Sequence, residues 1–104
     1  MKPLIFGYMR VPDDMSDEEV KRKQDGMTVY AEANGFALAT VYFEFADGRV
    51  DAFAETVEAI LRAESHHLLV PSYRDLAFSR ALQDAMILTA EHARVEVVSL
   101  EERA

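Results

Sequence analysis

Two arginines, one serine and one aspartate stand where the chain could do chemistry. Arg10 closes an apolar run that begins at Leu4. Ser72-Tyr73-Arg74-Asp75 follows a second apolar run, Leu68-Leu69-Val70, after Pro71. Guanidinium groups bind phosphate or carboxylate through charge-assisted hydrogen bonds, and an activated hydroxyl can attack phosphorus. Arg10, Ser72 and Arg74 are therefore the candidate anion-binding residues, for a phosphate or a nucleotide. The plainer reading stands beside this one. Ser72 bonds its own turn, and Arg10 with Asp75, or Arg74 with Glu44, forms a structural ion pair at a strand end.

Other chemistries find less support. His66 and His67 are adjacent, and neighbouring strand residues point to opposite faces, so both cannot easily hold one ion. His92 stands apart, and there is no cysteine. No metal and no cofactor are expected at the usual ligand spacings. Gly48 has no G-x-G-x-x-G context, so no dinucleotide or phosphate loop is read. Tyr30, Tyr42, Phe43 and Phe45 are read as strand and core packing in preference to a stacking surface.

The elements that position these residues follow from periodicity. Residues 4–11 form a buried strand. Ser16-Asp17-Glu18-Glu19 has the spacing of a helix-start box, and Lys21, Arg22 and Lys23 follow one turn later. A helix over about 16–34 buries Val20, Met27 and Ala31 and stops at Asn34-Gly35. Ala37 to Phe45 is a strand, and Asp47-Gly48 a turn. A helix over about 51–64 turns Phe53, Val57, Ile60 and Leu61 inward. Leu68-Leu69-Val70 is a short strand, and Pro71 to Ala77 a loop or single turn. A helix over about 79–92, started by Ser79, is expected to bury Leu82, Ala85, Met86 and Thr89. Val95 to Leu100 is the last strand, and Glu101 to Ala104 a polar tail.

This β-α-β-α-β-α-β alternation defines an α/β class with a mostly parallel four-stranded sheet between helix layers. Ligands in such sheets bind beyond the carboxyl ends of the strands. That edge should gather Arg10, Pro12, Glu44, Phe45, Ser72, Tyr73, Arg74, Asp75 and Ser99. The 104 residues fit one domain. Eleven basic residues against nineteen acidic ones, a net charge of -8, oppose DNA binding by this chain alone. No apolar run approaches a membrane span. The lack of cysteine and of a signal-like start makes the cytoplasm the expected location.

Gly7-Tyr8-Met9-Arg10-Val11-Pro12 resembles the opening motif of the resolvase/invertase family of serine recombinases, in which a strand reads G-Y-x-R-V-S. Leu69-Val70-Pro71-Ser72-Tyr73-Arg74-Asp75-Leu76-Ala77-Phe78 is similar to the family's catalytic loop, L-V-x-x-L-D-R-L-x-R. The resemblance implies a three-layer α/β/α core with strand order 2-1-3-4. It also implies that the family's nucleophilic Ser falls at Pro12, its Asp-Arg pair at Arg74-Asp75 in reversed order, and its last Arg at Phe78. Arg10 keeps the family's phosphate-holding position.

A core of this kind would be a degenerate member: catalytic residues none, with Arg10, Pro12, Arg74, Asp75 and Phe78 as the altered or remnant positions. The sequence stops at Ala104, so the expectation is residues 1–104 as one catalytic-core domain without the family's dimerisation helix or DNA-binding domain. The leading expectation for function is an inactive resolvase-like module that acts through a protein partner or self-association. Two alternatives stand: a surviving DNA-binding or strand-exchange role using Arg10, Ser72 and Arg74, and a sensor for a small anionic ligand at the Arg10 edge.

Overall fold

The structure is a computed structural model that describes residues 2–45 and 51–101. Its elements are β1 (Leu4–Arg10), α1 (Asp17–Ala33), β2 (Ala37–Glu44), α2 (Asp51–Arg62), β3 (His67–Val70), a 3-10 turn (Tyr73–Asp75), α3 (Arg80–His92) and β4 (Glu96–Ser99). The expected Asp47-Gly48 turn and the last three tail residues lie outside the described residues. All strand pairs are parallel, in the order β2-β1-β3-β4. This is the α/β architecture with the strand order that the resemblance implied.

β1 explains the layering. Its side chains alternate between faces, as the pleat requires. Ile5 and Met9 pack with Met27 and Ala31 of α1 and with Leu69. Phe6 and Tyr8 pack on the other face with Phe53 and Ile60 of α2 and with Met86 and Ala90 of α3. A strand buried on both faces carries no polar alternation. Leu4 to Met9 shows none until Arg10 ends the run.

Local signals set the helix ends. Ser16 Oγ accepts the Glu19 N–H at 3.2 Å, and Ser79 Oγ accepts the Leu82 N–H at 3.3 Å. All three helices close alike, with one residue at positive φ and a backbone bond reaching five residues back. At α1 these are Gly35 (φ 82) and Phe36 N to Ala31 O at 2.8 Å. At α2 and α3 the turning residues are Glu64 (φ 55) and Arg94 (φ 62). Only the first of these stops is readable from a glycine, so α2 ends at Arg62 where the apolar pattern extends it to 64.

The inner face of α3 corrects an expectation. Leu82, Ala85 and Thr89 are exposed. Gln83, Met86 and Ala90 are buried, with Ile87 partly so. Gln83 is tolerated inside because its Nε2 donates to the Ala77 carbonyl at 2.8 Å. Leu61 of α2 is likewise exposed, while Thr56 takes an inward place and donates its hydroxyl to Ala52 O at 2.6 Å. Tyr30, Tyr42 and Phe43 are half-buried as packing residues. Phe45 is an exception, exposed with its ring 5.9 Å from that of Phe43. Among the described residues no helix is long and apolar enough to cross a membrane.

Candidate functional site

β1 delivers Arg10 to the carboxyl edge of the sheet, on the same face as Tyr8 two residues earlier. The side chain is buried, so its charge must be met by fixed dipoles. Nη2 donates to Leu76 O at 2.7 Å and to the Tyr8 hydroxyl at 3.3 Å. Tyr8 in turn donates to Glu44 Oε1 at 3.0 Å. The same oxygen accepts the Ala52 N–H at 3.1 Å, so Glu44 places its negative charge on the first turn of α2. Arg10, Tyr8 and Glu44 form one buried chain from the 3-10 turn to α2.

Asp75 organises the facing loop. Oδ1 accepts the backbone N–H of Arg10 at 3.1 Å. Oδ2 accepts both the N–H and the hydroxyl of Ser72, each at 3.2 Å. Lys23 reaches across from α1, its Nζ 3.8 Å from Asp75 Oδ1. Neither of the side-chain ion pairs considered from the sequence forms. Asp75 takes the amide of Arg10 while the guanidinium turns to Leu76 O. Glu44 is held by Tyr8 and Ala52, and Arg74 is exposed.

A cleft of about 210 Å³ opens above this network, lined by Arg10, Pro12, Met15, Lys23, Ser72, Arg74, Asp75 and Phe78. It brings together the three candidate anion residues and the remnant positions Pro12, Asp75 and Phe78. Sequence reasoning treated Lys23 only as a helix charge and did not single out Met15. Their part arises because α1 crosses the sheet beside this edge. Ser99 is not among the lining residues, and its hydroxyl donates to Glu101 O at 2.7 Å. The two adjacent histidines line one surface hollow but their rings have different partners. The His67 ring packs 4.8 Å from Phe36, and His66 Nδ1 lies 3.1 Å from Arg94 O. Among the described residues no three His, Asp or Glu side chains are grouped as a metal site.

Tyr8 carries a clear electrostatic signature. Burial pushes its hydroxyl above the ordinary 10.0, and the Glu44 carboxylate raises it further, against the lowering effect of Arg10. The folded state therefore binds this proton more tightly than the unfolded chain. Its contribution is complete below the unfolded value and is lost as pH rises above about 10 toward the folded value. Stability measured by urea unfolding should fall with pH in that alkaline window. Tyr8→Phe should lose this part of the slope, and an unchanged slope would exclude Tyr8 as its source.

The fold, a parallel 2-1-3-4 sheet between helix layers, is that of serine recombinase catalytic domains. Among solved structures, the chain is similar to the C-terminal catalytic domain of ISC1926 TnpA, an IS607-like serine recombinase. That match has a TM-score of 0.77 and 16% identity over 96% of this chain and 71% of the other. It is also similar to the N-terminal catalytic domain of TP901-1 integrase, with a TM-score of 0.77 and 20% identity over 93% of this chain and 76% of that one. At these identities the likeness is one of fold. No family model matches the chain, and no curated protein matches its sequence.

Proposed function

We propose that this chain is a resolvase-like core that forms no seryl–phosphate bond and works in the cytoplasm as a protein-contact or regulatory module. The observation that carries the reading is the strand end itself. Pro12 occupies the place where the similar motif has its nucleophile, and Arg10 turns its Nη2 inward to Leu76 O and Tyr8. Phosphoryl transfer needs a hydroxyl in line and donors aimed at the developing charge. Ser72 lines the cleft, but its hydroxyl is donated to Asp75 within its own turn. The net charge of -8 also argues against DNA as the partner of this chain alone.

The test is a denaturing gel of the chain incubated with supercoiled and linear DNA pools. Neither wild type nor Pro12→Ser should form a covalent adduct, because the variant restores a hydroxyl while Arg10 Nη2 stays donated to Leu76 O and the Tyr8 hydroxyl. An adduct formed by wild type and abolished by Ser72→Ala would overturn the proposal in favour of a surviving strand-exchange role.

One observation favours a second reading, a sensor of small anions. Arg10, Lys23 and Arg74 line a single small cleft in which, among the described residues, Asp75 is the one acid. Millimolar phosphate or nucleotide should then raise the melting temperature, and Arg74→Ala should remove the effect. No shift in wild type would end that reading.

A further inference from the structure

β4 is the outermost strand, and its far side is open. Glu96 N donates to His66 O at 2.8 Å and Leu100 N to Val70 O at 3.0 Å. Pairing in a parallel ladder alternates, so the backbone N–H and C=O groups of Val97 and Ser99 turn away from β3. Among the described residues no strand meets them, because the sheet order ends at β4. Proteins commonly guard such edges with lysine, proline or a bulge. β4 reads Glu-Val-Val-Ser, with one charge and no proline, and pairs with β3 without a register shift. Its guard is its length of four residues.

A hollow of about 400 Å³ lies beside this edge, between Ile87 and Glu91 of α3 and Val95 and Val97 of β4. α2 packs on β1 and β2 and α3 on β4, and among the described residues none of α2 lines the hollow, so it lies on the open side of α3. Tyr73, just beyond the carboxyl end of β3, and His66, just before its start, both line it, so it runs the length of the strand. Val95 and Val97 pack on the α3 face of the sheet, and Val98 on the α1 face. In a strand added at this edge, the residue opposite Val97 puts its side chain on the same face, over the hollow. The open backbone row and the side-chain space are thus in register. Among the described lining residues, the carboxylates of Glu91 and Glu96 stand against the guanidinium of Arg94, and the chain carries a net charge of -8. These charges favour a cationic partner.

We propose that the β4 edge and the hollow beside it bind an extended peptide segment of another protein. The segment adds as a further strand, places an apolar side chain between Ile87 and Val97, and carries lysine or arginine beside it. The two features ask for the same occupant. A small molecule fills the hollow without meeting the backbone of Val97 and Ser99, and a helix has its own backbone groups already paired. A second β4 would bring another Glu96 to the edge and no Lys or Arg. This rests on the protein-contact reading above and names the chemistry of its partner.

The probe is the capped pentapeptide Lys-Val-Phe-Val-Lys, added to the isotope-labelled full chain and followed by amide NMR and hydrogen exchange. In the free chain the Val97 and Ser99 amides should exchange at least about 10-fold faster than those of Val98 and Leu100. The peptide should bind with a Kd on the order of 100 μM and slow exchange at Val97 and Ser99. N-methylation of its three central residues keeps every side chain and removes the pairing donors, and should weaken binding at least about 10-fold. Val97→Pro removes an outward N–H, a change that edge strands tolerate, and should weaken binding by about the same factor. Glu91→Lys changes an exposed side chain and should weaken it about threefold. No binding at about 1 mM peptide overturns the proposal. Equal binding of the N-methylated peptide gives the hollow to a side chain alone and overturns strand addition. Protection of Val97 that rises with protein concentration, without peptide, gives the edge to a second copy and also overturns it. A chain that binds no peptide and forms no DNA adduct loses this surface and keeps the protein-contact reading. A chain that binds the peptide and also forms the adduct keeps the surface and loses the inactive-core reading.

Discussion

Asp75→Ala should lower the stability of the fold by about 3 kcal/mol, a large share of the roughly 5–15 kcal/mol expected for a domain. The carboxylate is buried and accepts from the Arg10 amide, the Ser72 amide and the Ser72 hydroxyl. Both amides are met by this one carboxylate. Removing the carboxylate strands them at a cost of about 1–3 kcal/mol each, less whatever water recovers. For a domain of this size the melting temperature should drop by roughly 10–20 °C. Asp75→Asn keeps one acceptor oxygen and should cost about half as much. Lys23→Ala should cost under about 1 kcal/mol, since Lys23 is 36% exposed and its pair with Asp75 is 3.8 Å long. A melting temperature for Asp75→Ala within a few degrees of wild type would show that the loop is held by something else.

The second large effect belongs to Gly7. A Cβ at this position would lie 2.6 Å from Met27 Cε and 2.9 Å from Val41 Cγ2. The Met27 methyl ends a flexible side chain and can swing away. The Val41 methyl is on a β-branched stem with few rotamers, fixed by the register that pairs Gly7 with Val41. Gly7→Ala gains about 0.5–1 kcal/mol of backbone entropy but meets overpacking of about 1–3 kcal/mol. The net expectation is a loss of about 1–2 kcal/mol, and Gly7→Val should lose about 3 kcal/mol or more. Urea unfolding checks both. Adding Val41→Ala to Gly7→Ala should return part of the loss, and a further full loss from that second change would disprove the proposed clash. The glycine of the Gly7-Tyr8-x-Arg10 stretch thus has a packing reason, the close approach of the Val41 side chain of β2, with Met27 of α1 beside it.

These two effects separate the site into what holds it and what faces solvent. Asp75, Tyr8 and Glu44 bind the 3-10 turn, β1 and α2 to one another, and Arg10 is drawn into the same network. Arg74, Lys23 and Phe78 stand at the rim of the cleft. An edge built in this way is a structural seam that still presents cations outward.

Much of the architecture was legible in the residue order. Strands and helices follow from local periodicity, and Ser16, Ser79 and Asn34-Gly35 mark helix ends through bonds only a few residues long. The short parallel crossovers then determine that Arg10, Ser72, Arg74 and Asp75 share one edge, because all strands of a parallel sheet end on the same side. Tertiary structure alone decided which partners they take. The bonds from Tyr8 to Glu44 and from Arg10 to Asp75 and Leu76 join residues far apart in the chain, and no local pattern encodes their geometry. It also decided the face of α3. Leu82, Ala85 and Thr89 and the set Gln83, Met86 and Ala90 both repeat at helical spacing, so periodicity permits either to be inward. The choice falls to Gln83 because its amide can satisfy the Ala77 carbonyl, while Met86 and Ala90 fit against the sheet. The apolar stripe left outside is a product of that packing.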